Sequence, residues 1–547
     1  MSLQSSTRGR VLFALGALSA SAIVLSGCAG GANTDNTNKT NNGGSAASLL
    51  IGTTDKIVSI DPAGSYDNGS FAVMNQIYPF LLNSKYGTAD VTPDIAVSAD
   101  FTAPTEYTVK LKPGLKFANG DELTSSDVKF SFERQTKIND PQGPASLLGN
   151  LVSIDTPDDT TVVFHLKNPN DQTWPQILSS PAAPIVDEQV FSPDKVTPDA
   201  DIVKAKAFGG QYVITSYKVN ELVNYEPNKD YAGELGAAEN SGVTVKYYAD
   251  ASNLKLAVAN GDIDVAFRSL SPTDIADLGT NNKVKVVQGP GGEIRYIVFN
   301  FDTMPFGAKT ADADPAKALA VRQAMADLVD RNELSKDIYK GTYTPLYSYV
   351  AQGMTGANES LKSLYGDGQG GPDGDKAKQT LEAAGVKTPV TLNLQYNGDH
   401  YGPSSGDEYA ALKTQFEKGG LFKVNLAQTE WVQYSKDRTA DVYPMYQLGW
   451  FPDFSDADNY LSPFFAKDNF LGNHYDNADV QALISKEGTE TDASARTAEI
   501  GQVQDLVAKD LSTLPYLQGA QVAVVGTDVQ GTTLDGSFKF RYAPLHK

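Results

Sequence analysis

The sequence predicts a mixed α/β chain folded into more than one lobe, and three observations carry that expectation. Its 547 residues exceed what one ordinary core serves, so two to four domains or lobes are expected. Strand-like and helix-like patterns alternate along the chain, which leaves α/β and α+β both open. No internal repeat is present.

Tyr107-Thr108-Val109-Lys110-Leu111 alternates with a period of two, as a half-buried strand does. Residues 161–167 form a second strand candidate, with His165 on the face opposite Val162, Phe164 and Leu166 and so toward solvent. Thr124-Ser125-Ser126-Asp127 has the spacing of a capping box and opens a helix that sets Val128 and Phe132 on one face. Asp314-Pro315 starts another helix, with Val321, Met325 and Leu328 at helical spacing and Ala324 and Val329 beside them. Residues 376–384 read as a helix stopped by Gly385, and Thr391-Leu392-Asn393-Leu394 as the strand that follows. The glycine-rich residues 366–374 read as a surface excursion.

The N-terminus carries a different kind of signal. Arg8 and Arg10 precede an apolar or small-residue run over residues 11–25, too short to span a bilayer as a mature helix and therefore an export signal. Leu25-Ser26-Gly27-Cys28 ends it in the pattern of a bacterial lipobox, in which the cysteine is lipidated. Cys28 is the only cysteine of the chain, and acylation accounts for an exported thiol without a partner. The Gly-, Asn-, Thr- and Ser-rich residues 29–47 then read as a slack tether. Domains are expected at 1–27 (signal peptide), 28–47 (tether) and from 48 onward.

Hydrophobic residues make up 41% and aromatic residues 10%, enough to exclude global disorder. The net charge of −21 repels nucleic acid and anionic lipid and attracts cationic groups. Catalytic signals are weak. Gly402-Pro403-Ser404-Ser405-Gly406 matches G-x-S-x-G, but polar residues separate it from the preceding strand, whereas the elbow needs its serine on a sharp strand-to-helix turn. Ser126-Asp127-Val128-Lys129 matches S-x-x-K without its companion motifs. His165, His400, His474 and His546 include no close pair, and Asp453, Asp456 and Asp458 lack the spacing of an EF-hand loop, so neither a metal nor any other cofactor is expected. The acidic trio reads by default as a solvated loop with helix caps.

One long block is more specific. The run from Tyr107 through Lys112-Pro113-Gly114-Leu115-Lys116-Phe117-Ala118-Asn119-Gly120-Asp121, continued by Asp127-Val128-Lys129-Phe130-Ser131-Phe132, resembles the characteristic block of family 5 of the bacterial solute-binding proteins. That family serves dipeptide, oligopeptide and nickel importers. Ser59-Ile60-Asp61-Pro62, Gly209-Gly210-Gln211-Tyr212, Gly261-Asp262-Ile263-Asp264, Phe299-Asn300 with Pro305-Phe306 and Val321-Arg322-Gln323-Ala324 resemble further family elements in order. So does Leu448-Gly449-Trp450 with Asp456-Ala457-Asp458-Asn459, although Ala457 replaces the usual proline. The resemblance runs from about Leu49 to the C-terminus.

This resemblance implies a two-lobed α/β fold of the periplasmic-binding-protein type II, large peptide-binder subclass, with an extra subdomain inserted in lobe one. The expected limits are 48–82, 207–300 and 513–547 for lobe one, 83–206 for the inserted subdomain and 301–512 for lobe two. It further implies a monomer without catalytic activity on the outer face of the cytoplasmic membrane. The chain would be anchored only by lipid on Cys28, capture peptides between its lobes and deliver them to an ABC permease. In peptide-binding members an aspartate three residues after the tryptophan of the G-W block pairs with the ligand ammonium, and here that residue is Asp453; a simple loop cap is the other reading. Trp450 belongs to the same block. Gln447 stands where oligopeptide binders have an arginine, Arg438 matches a second arginine position, and His400 lies in a loop that approaches ligand. Within the family, nickel chelates and oligosaccharides are the alternative ligands. Outside it, the alternatives are a serine hydrolase using Ser404 or Ser126, and a peptide sensor that signals without transport.

Overall fold

A computed structural model of the chain describes residues 47–547 except Ser269, Asp399, Pro403 and Asp468. The expected signal peptide, Cys28 and all but the last residue of the tether lie outside the described residues. No helix among the described residues is long and apolar enough to cross a membrane.

Two large sheets form the frame. The first has seven strands in the order Val284–Gly289, Gln521–Gly526, Val265–Phe267, Ser48–Thr53, Gly242–Tyr247, Leu222–Pro227, Tyr212–Lys218. Ser48–Thr53 pairs in parallel with Gly242–Tyr247, whereas Gln521–Gly526 runs antiparallel to both of its neighbours. The second has six strands in the order Tyr343–Pro345, Thr513–Gly519, Ile294–Phe299, Met445–Trp450, Val390–Tyr396, Phe422–Gln428. A separate four-stranded antiparallel sheet holds Ala96–Ala103, Glu106–Leu111, Thr161–Leu166 and Leu151–Asp158 around its own buried cluster.

Local chemistry explains most of these elements. Glu106–Leu111 buries Tyr107, Val109 and Leu111 and turns Thr108 and Lys110 outward, as its period demands. Helix Ser125–Ile138 opens on a complete capping box: Thr124 caps it, and the Asp127 carboxylate accepts from the Thr124 backbone N–H at 2.9 Å. Helix Pro315–Leu328 starts at an Asp314 cap with proline in the first turn, and Val321, Ala324, Met325 and Leu328 are buried. Helix Gly374–Ala383 ends before Gly385, whose φ of +67° is the left-handed conformation that glycine adopts without a Cβ clash. Residues 366–374 are less superficial than expected. The Gly366 N–H donates to the Asp327 carboxylate at 2.8 Å and the Tyr347 hydroxyl donates to the Gly370 carbonyl at 2.9 Å, so this backbone is fastened to buried side chains.

The chain passes between the two large sheets at residues 290–293 and again at residue 520. The expected lobe limits at 300 and 513 therefore fall one strand away from the crossings. The cause is physical: Ile294–Phe299 and Thr513–Gly519 are buried at every position, and a strand covered on both faces has no alternation to assign it to one lobe. Ile294 pairs with Trp450 and Arg295 with Gly449 in antiparallel register. The start of one central strand thus lies beside the end of the other, and the segments 290–293 and 451–456 emerge together between the sheets.

Candidate ligand-binding site

A cavity of about 1040 Å³ lies where those segments emerge. Both large sheets contribute to its wall: Phe267 and the following Arg268 from the first, Arg295, Trp450 and, three residues past its strand, Asp453 from the second. Its lining is rich in aromatic side chains, among them Phe71, Tyr343, Tyr401 and Phe538. Such a concave, largely apolar site with a few convergent polar groups is the usual form of a small-ligand pocket.

Among the described residues, the carboxyl groups lining the cavity are Asp67, Glu293 and Asp453. The Asp453 carboxylate accepts a hydrogen bond from the Tyr66 hydroxyl and another from Asn459 Nδ2 at 3.3 Å. The Asn459 Oδ1 in turn accepts from the Asp453 backbone N–H at 2.8 Å and from Trp450 Nε1 at 3.2 Å, which locks the tryptophan and the aspartate in one arrangement. Burial pushes the Asp453 carboxyl above its ordinary value, and the hydrogen bonds from Tyr66 and Asn459 offset part of the rise. Among the described residues no lysine, arginine or histidine forms an ion pair with it.

The loop that carries Asp453 is fixed from below. Asp456 caps the short helix Ala457–Tyr460 and accepts both outer nitrogens of Arg496 at 2.8 Å each. Arg496 also contacts Glu487 at 3.0 Å. Burial and the neighbouring Asp458 carboxylate push the Glu487 carboxyl above its ordinary value, and Arg496 offsets part of the rise. The acidic loop carries the expected helix cap at Asp456 but is half-buried rather than solvated, because an arginine from the distant helix Ala493–Asp510 packs against it. On the facing segment, the Tyr460 hydroxyl donates to the Gly292 carbonyl at 2.6 Å. A Cβ on Gly292 would stand 2.5 Å from Pro452 and 2.6 Å from Phe538, so the close approach of the two segments needs glycine there.

Of the other sequence-derived candidates, Trp450 and His400 line the cavity, His400 stacking on Trp431 at 3.8 Å. Gln447 and Arg438 are not among the lining residues. Gln447 is fully buried, with its amide between the Asn397 backbone N–H and Ser405 Oγ. Arg438 is 7% exposed and lies over the Phe470 ring at 4.5 Å. Sequence reasoning missed Tyr66, Arg268 and the Glu293–Arg295 pair, whose charged atoms are 2.7 Å apart. Burial opposes the Arg295 charge, but the Glu293 carboxylate overrides it and drives the guanidinium well above its usual value. A charge just before the otherwise apolar strand Ile294–Phe299 and another at its second position were the available signal.

The hydrolase signals find no support in this geometry. Ser404 lines the cavity at the head of helix Ser405–Glu417, eight residues past the strand that ends at Tyr396, rather than on a strand-to-helix elbow. The Ser126 hydroxyl donates to the Glu188 carboxylate at 3.0 Å, and Lys129 pairs with Glu133. Away from the cavity, Asp302, Asp441 and His474 bring ligand-type atoms within 4.8 Å of one another. Lys309 already pairs with Asp302 at 2.7 Å and Asn300 donates to Asp441 at 2.8 Å, so both carboxylates of that cluster have partners within the chain.

Comparison with known proteins places this geometry. The chain is 27% identical over 495 residues to the probable D,D-dipeptide-binding periplasmic protein DdpA of Escherichia coli K12, covering 88% of this chain and 90% of that protein. The structure of the ABC transporter substrate-binding protein CtaP of Listeria monocytogenes matches with a TM-score of 0.76 at 24% identity, over 92% of this chain and 99% of that one. The structure of the periplasmic binding protein DppA of Helicobacter pylori, solved with the peptide STSA, matches with a TM-score of 0.72 at 20% identity, over 91% and 98%. The fold is accordingly the two-lobed α/β fold of the solute-binding proteins. The profile of the bacterial extracellular solute-binding proteins, family 5 (middle region), matches residues 90–472, and the chain belongs to that family, whose members bind solutes for transport and are not enzymes.

Proposed function

We propose that the chain captures short peptides in the cavity between its lobes and delivers them to an ABC permease, tethered outside the cytoplasmic membrane by lipid on Cys28. The observation that carries the peptide reading is Asp453: a carboxylate set in a largely aromatic cavity, with hydrogen-bond donors around it but no cation paired to it among the described residues. A desolvated anion without a counter-charge is costly, and a ligand ammonium supplies one through a charge-assisted bond worth ~1.5–3 kcal/mol. Trp450, locked by Asn459, and His400, stacked on Trp431, form walls for ligand side chains. Relatives whose names record dipeptide binding, and a neighbour solved with a peptide, support the same reading.

The test is a thermal-shift screen of the mature chain against mixed di- to octapeptides, their N-acetylated forms, nickel chelates and oligosaccharides. A ligand at 100 times its dissociation constant adds ~2.7 kcal/mol and raises the melting temperature by several degrees. Stabilisation by free peptides that disappears on acetylation is the expected result. A response to sugars or chelates alone overturns the peptide reading. The anchor is tested separately: Cys28→Ala releases the protein from membranes if Cys28 is acylated.

A further inference from the structure

We propose that Arg268 binds the carboxylate of the ligand, an inference that rests on the peptide reading of the cavity. Among the described residues, the arginines and lysines lining the cavity are Arg268, Arg295 and Lys539. Two of these are enclosed. Arg295 is 3% exposed, its Nη2 pairs with Glu293 and donates to the Tyr343 hydroxyl and the Tyr401 carbonyl, and its guanidinium lies between the rings of those two tyrosines; its Nε and Nη1 have no hydrogen-bond partner among the described residues but are themselves buried. Lys539 is 7% exposed, and its ammonium meets Ser179 O at 2.7 Å, Asn83 Oδ1 at 3.1 Å and Ser179 Oγ at 3.2 Å. An ammonium has three donors, and all three are used.

Arg268 differs on each count. Its side chain keeps 35% of its exposure, and its one ion contact is a long one, Nε to Asp55 Oδ2 at 3.5 Å. A guanidinium offers five N–H donors in a fork that matches a carboxylate, so most of its capacity is left for a ligand. Its backbone lies at φ +64°, a left-handed conformation uncommon outside glycine. It follows strand Val265–Phe267, hydrogen-bonded to Gln521–Gly526 just past the second crossing between the sheets.

The position of Arg268 relative to Asp453 gives the inference its chemistry. The guanidinium carbon lies 5.6 Å from the ring centre of Phe451, on the opposite wall. Phe451 and Asp453 are two residues apart, which is at most about 7 Å along an extended chain. One lobe thus presents a cation and the other an anion across the same short stretch of cavity. A free peptide of two or three residues carries the complementary pair, its ammonium toward Asp453 and its carboxylate toward Arg268. Because the two groups sit on different lobes, such a zwitterion binds both at once only when the lobes are together, and so favours the closed arrangement.

The tightest binder from an equimolar mixture of di- and tripeptides is compared by calorimetric titration in its free, C-terminally amidated and N-acetylated forms, on the unmodified chain and on Arg268→Gln and Arg268→Lys. Amidation is expected to weaken binding to the unmodified chain by about 10- to 100-fold. Arg268→Gln binds the free peptide as weakly as the unmodified chain binds the amide and no longer distinguishes the two, while Arg268→Lys retains part of the discrimination. Acetylation sensitivity without amidation sensitivity leaves the peptide reading intact and overturns the Arg268 assignment. So does an Arg268→Gln variant that weakens free and amidated peptide equally, because the residue then only packs against Phe451. If no peptide binds the unmodified chain, both fall.

Discussion

The Tyr66 hydroxyl donates its hydrogen to the Asp453 carboxylate, and the two residues are 387 positions apart in the chain. Tyr66 precedes helix Asn68–Ile77, which packs on the seven-stranded sheet, and Asp453 follows the strand Met445–Trp450 of the six-stranded sheet. This bond therefore ties the lobes together at the place where a ligand ammonium is expected. Tyr66→Phe removes the donor and leaves the ring. The ligand-free protein is expected to open, because a hydrogen bond to a charged group contributes ~1.5–3 kcal/mol. Small-angle scattering checks this as a larger radius of gyration without ligand and an unchanged one with saturating peptide. An unchanged radius in both states would show that other contacts hold the lobes.

The raised Asp453 carboxyl predicts two pH dependences of opposite sign. The folded, empty protein holds a proton on this group more tightly than the unfolded chain, whose aspartate titrates near 3.8. Its contribution to stability is therefore greatest at low pH and declines as pH rises from that value through the folded-state pKa. Ligand affinity moves the other way, since only the ionised carboxylate pairs with an ammonium. Melting temperature and peptide affinity measured from about pH 4 to 8 should show binding lost on acidification at a pH where an ordinary aspartate is still ionised. Asp453→Asn should flatten this contribution to both curves and bind free and N-acetylated peptide alike.

These relationships were unevenly legible in the sequence. The strand Glu106–Leu111 and the helix capped by Thr124 were readable because a period of two and a capping box are local patterns. Asp453 and Trp450 were located only through the family block, since a tryptophan followed three residues later by an aspartate carries no chemistry by itself. Gln447 shares that block, yet its strand is buried on both faces over Met445–Leu448, so no alternation showed which side chains point to the cavity. Tyr66 and Arg268 were invisible because they come to the cavity only where two lobes meet. Asp456 was assigned to a solvated loop because its partner Arg496 lies 40 residues on in the chain.

Arg496 is the support most exposed to a single change. Its fork holds Asp456, and its Nε lies 3.0 Å from Glu487, a side chain buried completely. Arg496→Met keeps much of the volume and removes the charge, leaving Asp456 and its acidic neighbours uncompensated. Breaking one side of a buried ion pair costs about 3–5 kcal/mol, and chemical denaturation should show a loss of that order. Peptide affinity should fall as well, because the segment from Phe451 to Asp456 loses its anchor. A destabilised variant with unchanged affinity would separate the Arg496 cluster from the site.

Asp61, in the Ser59-Ile60-Asp61-Pro62 element, offers the contrasting case of a motif residue that acts on the fold alone. Its carboxylate accepts two parallel hydrogen bonds from Arg134 at 2.8 and 2.9 Å, a third from the Thr197 backbone N–H at 2.6 Å and a fourth from the Ala63 N–H at 2.9 Å. Both side chains are at most 1% exposed, and neither lines the cavity. One buried carboxylate thus joins the segment before the first helix to helix Ser125–Ile138 and to the segment at Thr197. Asp61→Ala leaves the Arg134 charge buried without its counter-ion, and a cost of about 3–5 kcal/mol is expected. Asp61→Asn retains the size and acceptor oxygen but not the charge, and should fall between the two. Denaturant midpoints would record that order, while calorimetric titration of the folded fraction should return the affinity of the unmodified chain, since no group in the cavity has changed.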